Sequence, residues 1–193
     1  MSQPDSPVVD ALRDLALALS ELGCPWYLFG AQAALLYGSS RLTADVDATV
    51  LLENRSTREL TEVLTRHGFS LRITDDDFVA RTRVVPVVHG SSGLPADLVL
   101  GGPGLEELFA GRCVQQHLLD VLVPVARPED IVVMKVLADR EKDRLDVQAI
   151  LAARLPELDL GLIRETLALL EQALDQSDLT PAFERLLARA RAD

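Results

Sequence analysis

The sequence predicts a domain of the α/β or α+β class with a helical C-terminal part. Two observations carry this. Up to about residue 127, short apolar runs with strand character alternate with segments of helical periodicity. Beyond Pro128, helical periodicity alone remains. At 193 residues and 48% hydrophobic content, the chain is long and apolar enough to bury a proper core.

The elements follow in order. Over residues 7–22, Val9, Leu12, Leu15, Ala16 and Leu19 recur at helical spacing, and Gly23 is a stop signal. Trp26-Tyr27-Leu28-Phe29 reads as a short strand, Ala31–Tyr37 as a small-residue helix and Val46–Leu52 as a strand rich in branched side chains. Residues 56–67 open with Ser56 or Thr57 as cap and Glu59 close by, then run as an amphipathic helix ended by Gly68. Phe78–His89 and Ala96–Leu100 are expected as two strands around the turn-rich segment 90–95, with a further strand at Val121–Val125. A single helix is expected from Pro128 to about Arg154. Two more follow, at 159–175 and 181–191, the last with Thr180 as cap and Pro181 at its first position. The expected division is a core at 1–127 and a helical region at 128–193.

Charge and composition narrow the function. Nineteen Lys and Arg against 30 Asp and Glu give a formal charge of −11, which weighs against a large nucleic-acid footprint while leaving room for a local basic groove. Cys24 and Cys113 are isolated, as buried thiols of a reducing cytoplasm would be. No secretory leader and no apolar run of membrane-spanning length is visible, so no membrane partner is expected.

The stretch LFGAQAALLYGSSRLTADVDATV, residues 28–50, carries the chemistry. Asp45 and Asp47 stand two residues apart in a strand, on the same side, with Val46 facing inward. Alone they repel each other. Two such carboxylates are either a solvated strand edge or a platform for Mg²⁺, or Mn²⁺, a hard cation that takes oxygen ligands. Upstream, Gly30 follows an apolar strand and opens a helix, where backbone N–H groups can meet a phosphate.

In these residues the chain resembles nucleotidyltransferases of the DNA polymerase β superfamily. Phe29-Gly30-Ala31 is followed by thirteen residues, Gln32–Ala44, and then by Asp45-Val46-Asp47-Ala48. More narrowly, Arg41, Thr43, Asp45 and Asp47 are similar to the Arg-x-Thr-x-Asp-apolar-Asp stretch of AbiEii/MenT-type toxin nucleotidyltransferases and their uncharacterised relatives. The resemblance covers about residues 26–52 and 95–152. Ala31 departs from it, since Gly or Ser is usual at that place. The resemblance implies a minimal nucleotidyltransferase fold, a short mixed twisted sheet flanked by helices with a C-terminal helical bundle. It also implies a third carboxylate on a neighbouring strand.

Asp97, in the strand-like PADLVL, is the candidate for that carboxylate, to complete a metal set with Asp45 and Asp47. Asp75, Asp76 and Asp77 compete for the role but read as a solvated turn. On the helix expected from 128, Lys135 interrupts an apolar run. Lys135, Lys142 and Asp146 fall within about 40° of one another at helical spacing. By the resemblance Lys135 binds the triphosphate as a point charge and counts among the catalytic residues, and Asp146 orients a basic neighbour. Gly30, Ala31, Ser39, Arg41, Thr43 and Lys142 complete the expected nucleotide-binding set. His67, His89 and His117 show no metal or triad spacing. Arg81 and Arg83 are expected on one strand, and Gly101–Gly104 lacks the Lys-Ser/Thr of a P-loop.

The expected function is Mg²⁺-dependent transfer of an NMP from an NTP. By the resemblance, the acceptor is a tRNA 3′ end or a protein hydroxyl, and the chain is the toxin of a toxin–antitoxin system with an antitoxin partner. A catalytically silent nucleotide-binding or interaction module on the same fold is the alternative, kept open by Ala31.

Overall fold

A computed structural model describes residues 7–40, 45–118 and 120–192. Arg41 and Thr43 lie outside the described residues. The chain divides into two compact units: Met1–Gln32 with Thr43–Ala126, and Ala33–Leu42 with Arg127–Asp193.

The first unit begins with helix α1 (Pro7–Leu22), strand β1 (Trp26–Phe29) and the start of α2 (Gly30–Leu36). It continues with β2 (Val46–Val50), α3 (Thr57–Arg66), β3 (Phe69–Leu71), α4 (Asp76–Thr82), β4 (Val84–His89) and β5 (Pro95–Leu100). Helix α5 (Leu105–Arg112), β6 (Val114–Leu118) and β7 (Val121–Val125) complete it. The strands form one mixed sheet in the order β3-β4-β5-β2-β1-β7-β6. Its centre is the parallel pair β2–β5, flanked by antiparallel β1 on one side and β4 on the other. The core combines Leu12, Leu15 and Leu19 of α1, Tyr27 and Leu28 of β1, Ala48 and Val50 of β2, Leu60 and Leu64 of α3, and Leu98 of β5. Each large aliphatic side chain so buried contributes about 1.5–3 kcal/mol.

Local chemistry explains where these helices start and stop. α1 buries one face at three- and four-residue spacing and ends at Gly23 in the left-handed region, φ +71°. α3 starts with a complete capping box: Ser56 Oγ accepts from the Glu59 N–H, and the Glu59 carboxylate accepts from the Ser56 N–H. Residues 78–82, expected in a strand, belong instead to α4. The Asp75 carboxylate accepts from the Asp77 N–H and starts the helix there. Strand β4 begins only after Arg83, a left-handed residue at φ 55°. Arg81 and Arg83 therefore do not alternate along one strand.

The second unit contains α6 (Pro128–Ala138), α7 (Glu141–Arg154), α8 (Leu160–Leu174) and α9 (Leu179–Ala190). Ile131, Val132 and Val133 of α6 are buried, as are Ile150 and Leu151 of α7, Ile163 and Leu167 of α8, and Phe183 and Leu187 of α9. The helix expected to run from 128 to 154 is two helices. Asp139 turns left-handed at φ 47°, and Arg144 donates to both its carboxylate and its carbonyl. The last helix begins at Leu179 rather than Pro181. Thr180 donates its N–H and its hydroxyl to the Glu171 carboxylate instead of capping α9. Gly38, at φ +109°, lets the chain pass Ala153 so closely that an added Cβ would lie 2.4 Å from the alanine methyl. Among the described residues no helix is long and apolar enough to cross a membrane.

Candidate functional site

The candidate site of the first unit lies along one row across the sheet. Parallel pairing of β2 with β5 sets Asp47 beside Asp97, and antiparallel pairing of β1 with β2 sets Phe29 beside Asp47. Residues paired in this way share a face, so the two carboxylates stand side by side, about one strand spacing of 4.8 Å apart at the backbone. Asp45 lies one residue before β2, and the buried Val46 separates it from Asp47, as the alternation requires.

Gly30 is fixed by the Asp47 carboxylate. A Cβ on Gly30 would lie 2.0 Å from Asp47 Oδ2 and 2.7 Å from its Cγ, and the residue sits at φ +71°. Any side chain here would evict the aspartate, and the backbone conformation also favours glycine. The sequence pointed to Gly30 for its N–H group. The structure gives it a second task, making room for Asp47. Ala31, the next residue, is buried in α2.

The row continues to a residue that the sequence reading did not single out. Pro86 on β4 pairs with Asp97, and the Pro86 carbonyl accepts from the Arg72 N–H, just after β3. The Arg72 side chain crosses β4, donates through Nε to the Val87 carbonyl at 3.1 Å, and hydrogen-bonds through Nη2 to Asp97 Oδ1. No local spacing in the sequence links Arg72 to Asp97; only sheet register brings them together.

The donor chemistry of Asp45, Asp47 and Asp97 fits a hard divalent cation, being all carboxylate oxygen. The three are not a ready-made cage: among the described residues no group of three or more His, Cys, Asp or Glu is arranged to hold a metal ion.

In the second unit, three other expected residues meet. Lys135 Nζ donates to Asp146 Oδ2 at 2.6 Å and lies 3.6 Å from Asp143 Oδ1. The Ser39 hydroxyl donates to Asp146 Oδ1 at 2.7 Å. Arg140 grips both oxygens of Asp143, donating through Nε to Oδ2 at 2.5 Å and through Nη2 to Oδ1 at 3.2 Å. Lys135 side-chain exposure is 7%, and that of both aspartates 2%. The contact of Lys135 with Asp146 arises because α6 and α7 pack against each other, not because one helix carries both. Lys142, expected on the same stripe, is exposed on α7.

His89 is a structural residue. It is buried, its ring packs against Phe69 with centroids 4.9 Å apart, and its two nitrogens bond to Ser92 Oγ at 2.8 Å and Asp14 Oδ2 at 2.9 Å. It ties α1 to the β4–β5 hairpin. The GGPG segment leads into α5 and carries no lysine.

No family model and no curated protein matches this sequence. Solved structures do match. An antigenic nucleotidyltransferase-like protein from Paracoccidioides brasiliensis superposes with a TM-score of 0.54 at 17% identity, over 91% of each chain. The antibiotic-resistance factor ANT(2″)-Ia in solution gives 0.51 at 17% identity, over 98% of this chain and 94% of that one. ANT(2″)-Ia in complex with adenylyl-2″-tobramycin gives 0.52 at 16% identity, over 97% of this chain and 98% of the other. At such identities the likeness is one of architecture: the fold of this chain is the nucleotidyltransferase fold.

Proposed function

We propose that this chain is a nucleotidyltransferase that moves an NMP from an NTP to a hydroxyl acceptor. The acceptor oxygen forms a bond to the α-phosphorus, the bond from that phosphorus to the β-bridging oxygen breaks, and pyrophosphate leaves. The observation that carries this reading is Asp47 packed on a glycine and abreast of Asp97 on parallel central strands. Asp45 and Asp47 would hold Mg²⁺ or Mn²⁺, with Asp97 as the further ligand and as acceptor of the proton from the attacking hydroxyl. The metal, when bound, supplies positive charge to the triphosphate and to the leaving oxygen. Gly30 and Ala31 would offer backbone N–H groups to phosphate. Arg41 and Thr43 are proposed as phosphate ligands from the sequence resemblance.

For Lys135, Ser39 and Asp146 the geometry supports positioning rather than phosphate binding. Lys135 lies against Asp143 and Asp146, and Arg140 against Asp143, so the Lys135 amine is already engaged by buried carboxylates.

The formal charge of −11 favours an acceptor that is not a polyanion, hence a protein or small-molecule hydroxyl over a tRNA 3′ end. A small-molecule acceptor is also the kind captured in the neighbour bound to adenylyl-2″-tobramycin. A toxin role with an antitoxin partner would require label in tRNA or in protein. The silent-module reading is favoured by one observation, the Arg72 guanidinium on Asp97.

The test is transfer from four α-labelled NTPs with Mg²⁺ into total tRNA, cellular protein and a panel of small polyols and amino sugars, beside Asp45→Ala/Asp47→Ala. Label in the protein or small-molecule pool that vanishes in the variant is the expected result. Label in tRNA would restore the tRNA 3′ end as acceptor. NTP binding without transfer to any pool would favour the silent module.

A further inference from the structure

Arg72 has an unusual position for a charged residue. Its backbone N–H is fixed to the Pro86 carbonyl, and Pro86 is the register partner of Asp97, so two strand spacings, roughly 10 Å, separate the Arg72 and Asp97 backbones. A long side chain laid across β4 is what reaches that far, and the Nε bond to Val87 aims it. The guanidinium thus arrives on the outer side of a carboxylate whose inner neighbour is Asp47. Carboxylates abreast favour a nearby cation, and among the described residues Arg72 is paired with Asp97.

We propose that Arg72 is an internal counter-ion which holds Asp97 in the metal-free protein and yields it when a divalent cation binds, so that Arg72 sets the metal affinity of the carboxylate row. This rests on the metal-binding reading of Asp45, Asp47 and Asp97 given above. The energetics favour exchange. Arg72 and Asp97 side chains are 38% and 37% exposed, and ion pairs so exposed are weak. A divalent ion carries twice the charge in a smaller volume and becomes the largest local charge once seated. The guanidinium, tethered at Nε and at its backbone, stays close enough to reclaim Asp97 when the metal leaves. Arg72 is therefore a positioning residue, acting through Asp97.

The experiment is Mn²⁺ titration of the full chain by electron paramagnetic resonance, without nucleotide, on wild type, Arg72→Ala, Arg72→Lys and Asp47→Asn. Arg72→Ala should bind Mn²⁺ about fivefold more tightly than wild type, the fold-change that a half-exposed ion pair is worth. Arg72→Lys, which keeps the charge and loses the planar fork, should fall between the two. Metal should also raise the melting temperature of Arg72→Ala more than that of wild type. Unchanged or weaker binding in Arg72→Ala, with Asp47→Asn still abolishing it, would overturn the counter-ion role and leave the metal site standing. Absence of site-specific binding in wild type and Arg72→Ala alike would overturn both. Binding that appears only in Arg72→Ala would support the counter-ion role in its strongest form.

Discussion

Two ionic clusters in this protein follow opposite rules. In the helical unit, Lys135, Asp143 and Asp146 are almost wholly buried and bonded to one another, with Ser39 and Arg140 taking further oxygens. On the sheet, Asp47 and Asp97 stand abreast, partly exposed, with like charges side by side and a weakly held arginine at the margin. In the first cluster every charge has an opposite charge within 4 Å. In the second, Asp97 is paired with Arg72 at the margin and Asp47 stands beside it on the neighbouring strand. Burial and pairing therefore distinguish the ionic residues that lock the helical unit together from those proposed to hold a ligand, although the sequence resemblance put both sets in one site.

Breaking the buried cluster should have the largest effect on stability. Lys135→Met leaves Asp143 and Asp146 buried without their amine, which should cost about 3–5 kcal/mol in urea unfolding. A loss under about 1 kcal/mol would mean that the cluster is not buried as described. On the sheet, Gly30→Ala places a methyl on the Asp47 carboxylate at a left-handed position. It should lower Mn²⁺ affinity at least about tenfold, a displaced ligand costing no less than a lost supporting contact. Unaltered affinity would show that Asp47 is not a ligand.

Smaller effects sharpen the contrast. His89→Phe keeps the packing on Phe69 and removes both ring hydrogen bonds, leaving Ser92 and Asp14 to solvent or to each other. A loss of about 1–3 kcal/mol with metal affinity intact is expected from paired stability and Mn²⁺ measurements. The smallest effect concerns Tyr37, whose phenol burial, helped by the charge of Glu129, pushes its pKa up to about 12. The folded state thus favours the neutral phenol. Its contribution is complete below pH 10, where the unfolded chain is also protonated, and is lost between pH 10 and about 12. Tyr37→Phe should flatten the fall in stability across that window, and an unchanged slope would remove Tyr37 from the account.

Much of the fold was legible because local signals agreed with the final structure. α1 showed its apolar stripe and its glycine stop, α3 its capping box, and β2 its branched residues around the aspartate pair. The failures have local causes too. Nothing in Ala138-Asp139-Arg140 resembles a usual helix stop, because the left-handed turn is closed by Arg144 five residues on. Phe78–Thr82 has the branched and aromatic content of a strand, yet Asp75 at the N-cap decides for helix. β6, Val-Gln-Gln-His-Leu, gives no apolar alternation in its sequence because Gln115, Gln116 and His117 are all polar, and only its burial alternates, as an outer strand allows. For the candidate site, the Gly30–Asp47 spacing was readable, whereas Arg72 was not. Its meaning comes from register across three strands, and register leaves no trace in the spacing of residues 25 positions apart.

The most direct test of the central claim is calorimetric binding of a non-hydrolysable NTP with and without Mg²⁺, for wild type and Asp45→Asn/Asp47→Asn. The account predicts binding that needs Mg²⁺ in wild type and is lost in the double variant while the fold persists. Binding that ignores Mg²⁺, or that survives removal of both aspartates, would contradict it.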